Sequence, residues 1–388
     1  MLRLMLLIAG VAQIGLIQTL TTDRSDQELL LAYVVNRHGE RTPDVDELSL
    51  SDQKEKLQEY IDVHGFEGLI NIGKARVYKM GKFIRDRYGP EGYGLLSKLY
   101  HHDDIYVRST DKERTKMTAQ IVMSAVYPPQ AEQQWNDDLG KLWQPVPYTA
   151  VPLSEDYLRY YSNCRRFKTL MKRAKETSAQ EELAPFSDLE NLLLEKTGRN
   201  FTEEPTMYQT LYDLFRSQEA LGLGIPTWAT SIWPRLAEAA RLAYRLYFRS
   251  AEMKKIGGGV ILNDFVQDAI NIISGKTVKQ RFHMYSSHDF NIGSLLEVCN
   301  VEGKKHIVPH YAALFGLELY RSKTTGMYSV QPLYLSQAGG AEPKAFYFEN
   351  CLDSTYCDFS VFQRNTAHYL LPEREFYEIC GIRTELGH

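Results

Sequence analysis

The run Leu29-Leu30-Leu31-Ala32-Tyr33-Val34-Val35 is apolar at every position and stops abruptly at Asn36-Arg37-His38-Gly39-Glu40-Arg41-Thr42-Pro43. Alternation would mark a strand with one wet face, whereas an unbroken run of this length fits a strand covered on both faces of a mainly parallel sheet. Two shorter runs repeat the arrangement. Ile105-Tyr106-Val107 ends at Arg108, and Ser109-Thr110-Asp111 is expected to open a helix through a capping box of Thr110 and Glu113. Phe282-His283-Met284-Tyr285 ends at Ser286-Ser287-His288-Asp289 and continues into a helical stretch through Leu295-Leu296. In an open α/β sheet ligands bind outside the carboxyl ends of the strands. Arg37, His38, Arg41, Arg108, His288 and Asp289 are therefore expected to converge on one crevice, although they are far apart in the chain.

The remaining sequence arranges itself around that sheet. Met80, Phe83, Ile84 and Tyr88 recur at helical spacing before the Gly89-Pro90 stop, which gives a strand-helix-strand unit. Ala312–Tyr320 and Met327–Leu335 flank Lys323-Thr324-Thr325-Gly326 and read as a hairpin at one sheet edge. Residues 156–250 are helix-rich and charged, and read as a helical lobe inserted into an α/β domain whose two parts are residues 26–155 and 251–388. A chain of 388 residues has room for both. The expected class is thus α/β, with a mainly parallel central sheet flanked by helices.

Residues 1–22 read as a secretory signal peptide, because Arg3 precedes an apolar run from Leu4 to Ile17 broken only by Gln13; a signal anchor is the alternative. No later segment is apolar enough to span a bilayer, so no stable membrane span is expected once the signal is removed. Five cysteines without CxxC pairs favour disulfides in a secreted protein, and Asn200-Phe201-Thr202 is a glycosylation sequon. With 45 basic against 49 acidic residues the chain offers no global attraction to nucleic acid, so anion recognition must be local.

Three arginines and two histidines around one crevice repel one another unless an anion lies between them, and the planar guanidinium fork suits phosphate oxygens. The sequence has neither a P-loop nor an acidic metal-binding cluster near these motifs, so no cofactor is expected. Transfer to a protein nucleophile is then the simplest scheme. A neutral imidazole can supply it at His38, with Asp289 as general acid and then general base and His288 binding the phosphoryl group. His101-His102-Asp103-Asp104 reads as a solvated turn rather than a metal site, and Trp228 as packing.

Arg37-His38-Gly39-Glu40-Arg41-Thr42-Pro43 resembles the RHGxRxP signature of the histidine acid phosphatases, and His288-Asp289 resembles that family's distal HD pair. Tyr106-Val107-Arg108-Ser109-Thr110-Asp111 with Arg114-Thr115 is similar to the family's second arginine segment, and Pro226-Thr227-Trp228-Ala229-Thr230 to a segment of prostatic and lysosomal-type members. Length and leader also suit an insect venom-type enzyme. The resemblance runs from about Glu28 to the C-terminus. It implies His38 as nucleophile, Asp289 as proton donor, and Arg37, Arg41, Arg108 and His288 as ligands of a small phosphate monoester. It further implies an α/β domain with a helical lobe, disulfides Cys164–Cys380 and Cys351–Cys357, and no assigned partner for Cys299. A homodimer is compatible with it, as is a secreted or lysosomal location. A mutase-like enzyme of the other superfamily branch is disfavoured because Asp289, not glycine, follows the second histidine. A phytase-like or lysophospholipid phosphatase remains an alternative within the family, and a silent phospho-ligand-binding protein an alternative outside catalysis.

Overall fold

In the computed structural model, which describes residues 26–339, 343–351 and 355–383, the apolar run becomes strand β1 (Gln27–Arg37), buried from Leu29 onward. The expected signal peptide lies outside the described residues. Then follow β2 (Ile105–Ser109), β3 (Phe282–Ser287), the hairpin β4 (Leu314–Ser322) and β5 (Tyr328–Leu335), and the short β6 (Lys344–Ala345) and β7 (Cys357–Asp358). Their spatial order is β2-β3-β1-β4-β5-β6, with β7 also on β5. β3 runs parallel to both β1 and β2, while β4 is antiparallel to β1 and β5 to β4. The parallel centre therefore consists of the three strands expected to carry the charges. Their carboxyl ends lie side by side, Arg37 opposite Ser287 and Ser109 opposite Ser286.

Side chains alternate between two apolar layers. Tyr33, Val35 and Tyr285 join one cluster with Val260, Ile261 and Phe265 of the helix Ala251–Ile273. Val34, Val107 and Met284 join another with Val77, Met80 and Ile84 of the helix Asn71–Tyr88 and with Ala119, Val122 and Met123 of the helix Glu113–Val126. Each such large side chain, fully buried, contributes about 1.5–3 kcal/mol of transfer free energy, which fixes where the strand ends lie.

One local expectation is corrected. Lys112 is the N-cap of the helix Glu113–Val126 and no side chain caps it. The Thr110 hydroxyl instead lies 2.8 Å from Thr115 Oγ1 and 3.1 Å from His288 Nε2. It is committed to the site rather than to the helix end.

Between β2 and β3 the chain forms several helices, among them Arg165–Glu176, Met207–Ala220 and Trp233–Arg245. Their apolar faces, including Phe167, Leu211, Phe215 and Leu236, extend the cluster that covers one face of the sheet. Trp228 packs edge-on against Phe215 at 5.8 Å between ring centres. Cys164 and Cys380 stand at bonding distance, as do Cys351 and Cys357, and Cys299 is buried and unbridged. Asn200 sits in a turn, its Oδ1 accepting from the backbone N–H groups of Thr202 and Glu203 at 3.0 and 3.1 Å. Among the described residues no helix is long and apolar enough to cross a membrane.

Candidate active site

His38 follows β1 directly, its backbone N–H donating to Ser287 O of the neighbouring strand at 3.1 Å. The chain then turns against the start of the helix Asn71–Tyr88. A Cβ on Gly39 would lie 2.6 Å from the Gly73 carbonyl oxygen, and one on Gly73 only 2.3 Å from that of Glu40, so both positions require glycine for this approach. The turn leaves the His38 ring with its Nδ1 2.8 Å from Gly39 O. A carbonyl only accepts, so Nδ1 carries the proton and the lone pair of the neutral ring is on Nε2. Arg114 Nε donates to that lone pair at 3.0 Å. Burial first, then Arg114, Arg37 and Arg41, hold the His38 pKa well below its ordinary value. That environment disfavours protonation of the ring and so favours a free Nε2 lone pair.

The signature arginines are each tethered. Arg41 is gripped by the buried Glu47, both oxygens at 2.7 Å, and also donates to Thr42 O at 2.9 Å. Arg37 donates through Nη1 to Pro309 O at 2.8 Å and through Nη2 to Asp213 Oδ1 at 3.2 Å, and stacks over the Tyr311 ring at 4.2 Å. Both leave a buried Nε–H without a protein acceptor. His288 is the residue before the helix Asp289–Val298, and its ring centre is 5.5 Å from that of His38. Its Nε2 is in reach of Thr110 Oγ1 and, at 3.2 Å, of Arg159 Nη1. Burial, Arg114 and Arg159 lower its pKa well below the usual value. Asp289 opens that helix, with Oδ1 accepting from Phe290 N–H at 3.0 Å and Oδ2 3.7 Å from Arg37 Nη2. Across the same guanidinium lies Asp213, whose pKa burial pushes up to about 6, with Asp289 adding to the rise and Arg37 opposing it.

Five of the six residues expected to meet do so, and Arg108 does not. The sequence pattern ends the second strand at Val107, but β2 continues to Ser109, so Arg108 is an in-strand residue paired with Tyr285. Period-two alternation then turns it onto the face covered by the helix Ala251–Ile273. There it donates to Asp156 at 2.8 Å, stacks on Tyr157 at 3.9 Å, and lines a cleft of about 330 Å³ with Asp264, Asp268 and Glu373. The cation beside His38 is Arg114, in the first turn of the following helix. Arg159, Asp213, Glu47 and Glu67 are further charged neighbours. Sequence reasoning passed over them because none adjoins a strand end, except that Arg114 stands inside the second arginine segment.

A model of the histidine phosphatase superfamily (branch 2) matches residues 28–334. A venom acid phosphatase of Apis mellifera is 32% identical over 304 residues, which cover 77% of this chain and 75% of that protein. The prostatic acid phosphatase of Homo sapiens is 30% identical over 335 residues, 84% of this chain and 82% of its own. Among solved structures, the phytase of Klebsiella sp ASR1 superimposes with a TM-score of 0.62 at 16% identity, covering 90% of this chain and 98% of the phytase; that likeness concerns the fold alone. Sequence match and the strand-end cluster around His38 lead to one assignment, and the chain belongs to branch 2 of the histidine phosphatase superfamily.

Proposed function

We propose that this protein is an acid phosphatase that hydrolyses phosphate monoesters through a phosphohistidine on His38. One observation carries the reading: Gly39 O fixes the proton on Nδ1, which sets the Nε2 lone pair among Arg37, Arg41 and Arg114. Nε2 forms the bond to phosphorus as the ester P–O bond breaks, and protonated Asp289 supplies the proton that the leaving alkoxide takes. Water then attacks phosphorus while the Asp289 carboxylate accepts its proton, and phosphate leaves with His38 restored. Arg37, Arg41, Arg114 and His288 stabilise the charge spread over the equatorial oxygens, the term that dominates phosphoryl transfer.

Secretion belongs to the same reading and is supported by the two cysteine pairs at bonding distance. Residues 156–250 are read as an inserted lobe, and the exposed Trp135, Leu139 and Leu142 are apolar surface that a second copy can cover.

Asp289→Asn tests the scheme. Turnover of an alkyl phosphate should fall by roughly a hundred- to ten-thousandfold, the usual worth of a general acid. Cleavage of p-nitrophenyl phosphate should be slowed far less in its first step, so the phosphoenzyme accumulates. Mass spectrometry after acid-free quenching should find one phosphoryl group on the peptide containing His38, stable to alkali and labile to acid. Equal losses for both esters with no phosphate on that peptide would overturn the assignment.

A further inference from the structure

Glu67 takes up a left-handed backbone conformation, φ 56°, which a non-glycine residue adopts only when its surroundings hold it there. The surroundings are the signature itself. Thr42 Oγ1 donates to Gly65 O at 2.6 Å and accepts from Gly68 N–H at 2.9 Å, while Glu67 N–H donates to Pro43 O at 3.2 Å. The Glu67 carboxylate is thereby brought to Arg114 Nη1 at 2.8 Å and to Lys112 Nζ at 3.0 Å. Arg114 meanwhile holds His38 Nε2 through its Nε. A single guanidinium thus spans the nucleophile and Glu67, and the Glu67 side chain is still 28% exposed. It is a negative charge at the rim, one guanidinium width from the reacting nitrogen.

The mechanism above has no use for that charge. It neutralises Arg114, the arginine that among the described residues donates to the nucleophile, and occupies the lysine beside it. Arg41 is paired with Glu47 and Arg37 faces Asp213, so Glu67 adds a further negative charge beside arginines that already have acidic neighbours. We propose that Glu67 is a charge filter, admitting esters with a single phosphoryl group and selecting against polyphosphorylated esters whose further phosphates must pass the rim. The proposal rests on the phosphatase reading and names the substrate class of that site. Specificity of this kind comes from an unfavourable contact with the wrong ligand rather than a better one with the right ligand. At rim distances and an intermediate dielectric, one like-charge pair costs roughly five- to tenfold in affinity.

The test compares wild type, Glu67→Gln and Glu67→Asp on p-nitrophenyl phosphate and inositol hexakisphosphate. Glu67→Gln should raise kcat/KM for the hexakisphosphate relative to p-nitrophenyl phosphate by about tenfold or more, through KM, and the gain should shrink in about 0.5 M salt. Glu67→Asp, which keeps the charge, should keep the wild-type preference. An unchanged substrate ratio in Glu67→Gln would overturn the proposal. So would an equal fall in kcat for both substrates, which would make Glu67 a support for Arg114 only. Calorimetric binding of inositol hexakisphosphate to His38→Ala, with and without Glu67→Gln, answers the same question without turnover: affinity must rise when the charge is removed. Absence of p-nitrophenyl phosphate turnover by wild type would instead count against the phosphatase reading, and that binding comparison still decides the filter.

Discussion

Two clusters of buried charge adjoin β1, one on the neighbouring strand β4 and one at the carboxyl end of β1, and they are built differently. On β4, Glu318 is fully buried and each of its oxygens takes two donors. Arg87 Nε and Tyr88 OH reach Oε1 at 2.6 Å, and Arg87 Nη2 and Tyr320 OH reach Oε2 at 2.6 and 2.7 Å. Although burial opposes ionisation, Arg87 and the two hydroxyls hold the Glu318 carboxyl below its usual range. Around His38 the sums do not close. Arg37 and Arg41 each keep an unpartnered buried Nε–H, burial and the nearby arginines depress the pKa of both histidines, and two carboxylates crowd one guanidinium. Burial of charge is common to both clusters, so it does not identify a functional site. What sets the His38 cluster apart is that its unpartnered guanidinium donors meet two histidines at the strand ends, where an incoming anion can take them.

Substitutions can break that contrast. The largest effect is expected from His38→Ala, which should lower kcat for p-nitrophenyl phosphate by at least about ten-thousandfold, as loss of a covalent nucleophile does, with the melting transition near that of wild type. Retention of more than a tenth of the activity would remove His38 from the centre of the site. Glu318→Ala should do the reverse. It leaves Arg87 buried and unpaired, a loss of about 3–5 kcal/mol in denaturant unfolding, with unchanged kcat per folded molecule.

Arg114→Ala and Arg108→Ala sharpen the comparison within one segment. The first should lower kcat/KM by roughly a hundred- to a thousandfold, the scale of one lost transition-state donor. The second should cost stability, because Asp156 loses its ion pair, while kcat/KM stays close to wild type. The opposite ranking would restore Arg108 to the phosphate site.

The smallest effect concerns pH. The folded-state pKa of His38 is depressed, so below its ordinary value near 6.5 the unfolded chain binds a proton that the native ring refuses. Its contribution is present above that value and is lost as pH falls, by up to about 1.4 kcal/mol per pH unit. His38→Ala should therefore lose less stability than wild type between about pH 6.5 and pH 5, measured by denaturant titration at each pH. A parallel decline in both proteins would mean that the ring is protonated in the native state.

Much of this was legible in the sequence because strand burial leaves a strong mark. The unbroken apolar run before Arg37 and the shorter one before His288 locate the central strands, and residues next to a strand end go wherever that end goes. Where the run was short the reading slipped: ending β2 two residues early placed Arg108 in the crevice, whereas an in-strand position commits it to one face of the sheet. Thr110 reads as a cap by its spacing to Glu113, yet its hydroxyl has a better partner in His288, which no local pattern reveals. Asp213 and Arg159 come from helices between β2 and β3, and Glu67 from a loop latched to Thr42. Their positions depend on tertiary packing, which leaves no periodic trace near them.

The hydrogen bond from His38 Nδ1 to Gly39 O has a consequence for the second half of the reaction. In the proposed reaction the ring keeps that proton while Nε2 takes the phosphoryl group, so the ring of the intermediate is an imidazolium, cationic rather than neutral. Its leaving group on hydrolysis is an uncharged imidazole, so no proton has to reach the ring for the P–N bond to break. In that scheme a carbonyl oxygen one residue away leaves the P–N bond open to attack by water without a separate proton transfer to the ring.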